Sequence, residues 1–123
     1  MKKKILILSL LVSLLTIGQV FILSDSQIAV AGEDAVAQGK AIAFNRKTGN
    51  CLACHAIADG SLPGNQGPAL VAMKQRYPDI EMLKSQIFNP LLNNPDSMMP
   101  PFGLHNILSE EEIDKVAAFL YTL

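Results

Sequence analysis

The sequence predicts a small all-α domain, and three observations carry that prediction. No stretch alternates polar and apolar residues over strand length, whereas several segments repeat apolar residues at helical spacing between recognisable caps and stops. A single C-x-x-C-H run, Cys51-Leu52-Ala53-Cys54-His55, holds both cysteines of the chain. At 123 residues, 50% apolar and 17% charged, the chain has room for one domain at most, which excludes an enzyme with separate cofactor and substrate lobes.

The N-terminus predicts export. Lys2, Lys3 and Lys4 precede an apolar stretch from Ile5 to Leu23, and Ala29-Val30-Ala31 is a small-residue cleavage signal, so residues 1–31 read as a cleaved signal peptide. An uncleaved N-terminal anchor is the alternative, because nineteen apolar-rich residues approach membrane-spanning length. Either reading places residues 32–123 outside the cytoplasm. Those 92 residues carry seven Lys and Arg against ten Asp and Glu, a net charge of −3. That is no basic footprint for nucleic acid.

Within residues 32–123, Val36, Gly39 and Ala43 share one helical face after an expected Asp34 cap, with Gly49 as a stop. Gly39 would let another helix cross closely. A second short helix is expected over Ala69–Arg76, and a third over Asp79–Phe88 carries Ile80, Leu83 and Ile87 on one face before Pro90 ends it. The last is expected over Glu110–Tyr121. There Ser109 and Glu112 form a capping box, Leu108 and Ile113 a hydrophobic staple, and Ile113, Val116, Ala117 and Leu120 the buried stripe. Glu110, Glu111 and Glu112 then complement the helix dipole rather than act as catalytic carboxylates. Between Asn89 and Leu108 lie four prolines and no period. So long an ordered loop needs something to pack on.

C-x-x-C-H is the attachment sequence for haem c, in which both thiols add to the haem vinyl groups and the adjacent histidine coordinates iron. One covalent haem, held through Cys51 and Cys54, would also supply apolar bulk that so small a domain lacks. Two other readings compete. A disulfide or thioredoxin-like pair would use the cysteines but leaves His55 unexplained and lacks the strands of that fold; a zinc site would have only His55 and His105 to add. For iron's second axial position the candidates are Met73, Met82, Met98, Met99 and His105. Met73 and Met82 sit on expected helices, where a flexible core filler is the simpler role. Met98 and Met99 precede Pro100-Pro101, which stiffen the loop. Lys40, Arg46, Lys47, Lys74 and Arg76 are most simply solvated surface, though any of them could rim a docking face.

Met99-Pro100-Pro101-Phe102 resembles the distal-ligand loop of class I cytochromes c. The resemblance implies that the ligand is the methionine directly before proline, Met99, with Met98 packing or facing a partner; His105 is more simply a loop histidine than a ligand. Gly67-Pro68 resembles the Gly-Pro of the same family, which implies that the Pro68 carbonyl accepts a hydrogen bond from His55. The implied fold is that of a class I cytochrome c, helices packed around one haem. With both axial positions filled by side chains, such a domain carries electrons.

Several stretches together are similar to the SoxX family, the monohaem subunits of SoxAX cytochromes of thiosulfate oxidation. They are Gly39–Phe44, Gly49–Ile57, Gly67–Leu70, Asn94-Pro95, Met98–Gly103 and the acidic-capped terminal helix. The resemblance implies a periplasmic heterodimer with a SoxA-like cytochrome. It places on SoxA the catalytic site that joins thiosulfate to a cysteine of the carrier SoxYZ, so no catalytic residue is expected in this chain. The chain would accept the released electrons and pass them to a soluble c-type cytochrome. Two readings from other classes stand beside it: a free-standing electron carrier with the same haem residues, and a haem-based gas sensor, against which the stiff Met99 loop argues.

Overall fold

The computed structural model describes the backbone from residue 23 and side chains from residue 32. The chain divides into residues Met1–Glu33 and Asp34–Leu123, and the architecture below is that of the second unit. Most of the expected signal peptide lies outside the described residues, and no described helix is long and apolar enough to cross a membrane.

Four helices and two 3-10 turns make up the described residues, with no strand among them: α1 (Leu23–Phe44), a turn at Cys51–Ala53, α2 (Met73–Arg76), α3 (Ile80–Phe88), a turn at Pro90–Leu92 and α4 (Glu110–Leu120). The all-α expectation holds. Its details differ for α1, which starts at Leu23, so Asp34 lies inside the helix and not at its cap. There the Asp34 carboxylate accepts from Gln38 one turn on. The helix also ends at Phe44, five residues before Gly49, where the Asn45 side chain takes the Lys47 N–H and turns the chain. Gly49 serves instead to let the backbone approach the Ile42 carbonyl, which a Cβ would meet at 2.6 Å.

The second expected helix shrinks to Met73–Arg76. Ala72 before it has φ 51°, outside helical geometry. Helix α3 is as expected, capped by Asp79 Oδ1 on the Glu81 N–H at 3.0 Å, with Leu83 and Ile87 buried and Ile80 half-buried. Its terminal partner α4 has both halves of the Ser109/Glu112 capping box, at 3.2 and 2.8 Å. Leu108 and Ile113 are buried beside that cap, and so are Val116, Ala117, Phe119 and Leu120.

Three contacts organise these elements. A Cβ at Gly39 would run into the Lys115 carbonyl, so α1 and α4 cross with their backbones in contact, as the glycine predicted. Phe44 meets Phe119 edge to face at 5.9 Å beside that crossing. Helix α3 lies against α4, with Lys84 bridging Glu81 and Asp114 at 2.8 Å each. Partly exposed ion pairs of this kind contribute at most ~1 kcal/mol. The core is therefore held by Leu83, Ile87, Ile113, Val116 and Leu120, while Met73 N–H on the Leu123 carbonyl, 3.1 Å, ties the chain end to α2.

Candidate functional site

From Asn50 the chain is built to present Cys51, Cys54 and His55 together. Asn50 takes φ 48°, a left-handed value that asparagine tolerates, and starts the tight turn Cys51–Ala53. The turn closes with Cys54 N–H and His55 N–H both on the Cys51 carbonyl, at 3.2 and 2.9 Å. Next, residues 56–66 loop out and return: Gly64 N–H donates to Leu52, Gly67 N–H to Cys54 and Leu70 N–H to Ala56, at 2.8, 2.9 and 2.8 Å. Gly64 lies so close to the Ala53 carbonyl that a Cβ there would clash with it.

That return places Pro68 beside His55. The imidazole Nδ1 stands 2.7 Å from the Pro68 carbonyl oxygen. A carbonyl only accepts, so Nδ1 carries the proton and donates, and in the neutral ring Nε2 is the free lone pair. Gly67 makes room for this arrangement, because a Cβ at 67 would overlap the imidazole ring. The expected Gly67-Pro68 pair thus has two physical roles, space and orientation.

His55, Cys51 and Cys54 line one cavity of about 400 Å³, within the ~300–1,000 Å³ of small-molecule and cofactor pockets. Leu70, Met73, Leu83, Ile87, Phe102, Leu108, Val116 and Leu120 give it an apolar interior drawn from α2, α3, α4 and the long loop. The methionine candidates separate here. Met98 and Met99 both line the cavity, but Met99 is half-buried and Met98 is 84% exposed. Met73 also lines it, fully buried, with its sulfur 3.5 Å from an Arg76 nitrogen. Met82 is exposed and outside the lining, so the expected core role does not hold for it. His105 is exposed and likewise outside.

Arg76 is exposed, as expected, and it also has a place at the cavity. Its guanidinium donates to the Ala69 carbonyl at 2.9 Å and borders the cavity. Tyr77, Gln86 and Ser97 are further polar lining residues that no motif singled out. Of these only Ser97 had a local signal, a serine two residues before Met99 whose hydroxyl can take a backbone N–H.

The thiols are not paired with each other. Burial pushes the Cys51 thiol up to about 11, partly offset by its own backbone hydrogen bond and reinforced by Cys54. A redox-active C-x-x-C needs a lowered value. At neutral pH Cys51 is a protonated thiol in an apolar wall, which does not fit a thioredoxin-like pair. Two thiols, one oriented imidazole and a thioether around one apolar cavity do fit haem c.

Comparison with known proteins agrees. Residues 34–120, about seven-tenths of the chain, match the family described as cytochrome c oxidase, cbb3-type, subunit III. An uncharacterised lipoprotein of Aquifex aeolicus (strain VF5) is 38% identical over 76 residues, 61% of this chain. The match spans 37% of that lipoprotein's length. With a helical fold, C-x-x-C-H at the cavity wall and a family match over most of its length, the chain belongs to the cbb3-type subunit III family of class I c-type cytochrome domains.

Proposed function

We propose that this chain is a one-electron carrier in which Cys51 and Cys54 would hold one haem c and His55 and Met99 would coordinate its iron. The observation that carries the reading is the 2.7 Å contact of His55 Nδ1 with Pro68 at the wall of an apolar cavity that Met99 also lines. Haem c supplies the reversible one-electron iron couple when bound. The protein's part is orientation and exclusion. Pro68 fixes the imidazole tautomer and strengthens its donation from Nε2. Leu83, Ile87, Val116 and Leu120 give the cavity an apolar interior, which would favour the state of lower charge. Met99 provides a weak thioether donor, which raises the potential relative to a second histidine.

The physiological setting we propose is the SoxAX-type complex, supported by the likeness of Gly49–Ile57 and Met98–Gly103 to SoxX subunits. In that setting the chain is the electron-transfer subunit of a thiosulfate-oxidising enzyme of the L-cysteine S-thiosulfotransferase type. Thiosulfate is joined to the SoxYZ cysteine on a SoxA-like partner, and the electrons leave through this haem to a soluble cytochrome. The setting is the periplasm, supported by the leader-like N-terminus and by the lipoprotein relative.

A tagged, haem-loaded protein purified from cells grown on thiosulfate tests both levels. The complex predicts a stoichiometric c-type cytochrome partner and thiosulfate-dependent reduction of this haem. Recovery as a monomer reducible only by unrelated donors would reassign it as a free-standing carrier.

A further inference from the structure

The long loop from Asn89 to Leu108 contains four prolines, each of which lacks a backbone N–H. Along this loop three side chains bracket the backbone in the same way, each accepting the N–H two residues on. Asn89 holds Leu91 at 3.2 Å, Asn94 holds Asp96 at 3.1 Å and Ser97 holds Met99 at 3.2 Å. Such brackets fix local turns without help from a helix or sheet.

The third bracket stands at the site. Ser97 is half-buried and lines the cavity, and its hydroxyl takes the N–H of the residue proposed as ligand. The two adjacent methionines then have opposite fates: Met99 is half-buried at the cavity and Met98 is 84% exposed. Their side chains are chemically identical. What differs is the direction the backbone gives them, and the bracket from residue 97 to residue 99 spans the residue that is turned outward. Pro100 follows at once and restricts Met99 to extended geometry.

We propose that Ser97 is a positioning residue that selects Met99 over Met98 as the distal ligand, by holding the Met99 N–H on its hydroxyl. This rests on the haem reading above. Without the bracket, residues 97–99 gain freedom, Met98 becomes a competing donor and the sixth position opens more often to outside ligands.

The test uses holoprotein of the wild type, Ser97→Ala, Ser97→Thr and Ser97→Ala/Met98→Leu. Wild type should give one set of upfield-shifted ligand-methionine NMR signals in the reduced state, and Ser97→Ala two. Ser97→Thr and the double variant should return to one set. Imidazole should bind oxidised Ser97→Ala roughly five- to tenfold more tightly than wild type, the size that loss of one hydrogen bond supports. A single set with unchanged imidazole affinity in Ser97→Ala would overturn the proposal and leave Met99 ligation intact. No ligand-methionine signals in the wild type would overturn the ligation itself, and this selection with it. If Ser97→Ala does not take up haem, hydrogen exchange of the Met99 amide in wild-type holoprotein decides: protection supports the bracket, and exchange at the rate of a free amide removes it.

Discussion

The two walls of the cavity are held by different means. On the His55 side the main chain binds itself: His55 N–H to Cys51, Gly67 N–H to Cys54, Leu70 N–H to Ala56, and the imidazole to Pro68, all between 2.7 and 2.9 Å. On the Met99 side the main-chain ties flank the methionine, Ser97 N–H to Asn94 before it and Phe102 N–H to Ile87 and Leu108 N–H to Phe102 after it, and Met99 itself is tied only through a serine hydroxyl. The difference teaches where exchange can happen. A ring held on the Pro68 carbonyl, in a wall that the main chain closes at several points, is replaced only by opening that wall, whereas a thioether on a bracketed, proline-stiffened loop can leave by a local change.

Removing one proposed ligand from each wall tests that asymmetry most severely. His55→Ala should yield no stable holoprotein, because the ligand and the anchor of the Asn50–Leu70 wall go together; normal yield and a normal haem spectrum would sink the motif assignment. Met99→Ala should retain covalent haem while losing the sulfur-to-iron charge-transfer band of the oxidised protein, and its reduced form should bind carbon monoxide. Persistence of the band would move the ligand to Met73 or Met98, both of which border the cavity.

A smaller effect is expected from Gly67→Ala. The added Cβ overlaps the imidazole, which Pro68 holds in place, so either the ring or the loop must shift. Overpacking of this kind costs about 1–3 kcal/mol. Tm should fall by several degrees per kcal/mol in a domain of this size. An unchanged Tm with an unchanged axial spectrum would show that the His55 wall yields as easily as the loop does, and the comparison would collapse.

The same contrast explains what could be read in advance. The C-x-x-C-H motif, the Gly39 crossing and the Ser109/Glu112 cap were legible because each is a local pattern with one dominant physical solution. The start of α1 was not, since Asp34 is a good cap residue that here accepts from Gln38 within a helix already begun at Leu23. Neighbouring helix overrides local capping. Arg76 escaped for another reason: its place beside the cavity depends on the Ala69 carbonyl seven residues away and on the return of the 56–70 loop, which no spacing rule encodes. Met82 and Met73 are alike in sequence terms, both on short helices, and only packing separates the exposed one from the buried one.

The mildest prediction concerns the back of the cavity, where neither wall is responsible. The Tyr121 hydroxyl donates to the Tyr77 carbonyl at 2.5 Å, and Tyr77 borders the cavity just after α2. Partial burial, and to a lesser degree the negative charge of Asp79, raise the Tyr121 pKa, since both disfavour the phenolate. Neutral Tyr121 is therefore the form the fold prefers. With the folded value above the unfolded one, its contribution is fully present below the ordinary tyrosine value of ~10 and is lost as pH rises through the folded value. Tyr121→Phe should lower Tm at neutral pH by less than Gly67→Ala does. Above pH ~10 the gap between wild type and variant should narrow, because the wild type then forfeits what the variant never had. A gap that stays constant through that range would mean the phenol contributes by packing alone, and that the link from the chain end to Tyr77 does not steady the cavity.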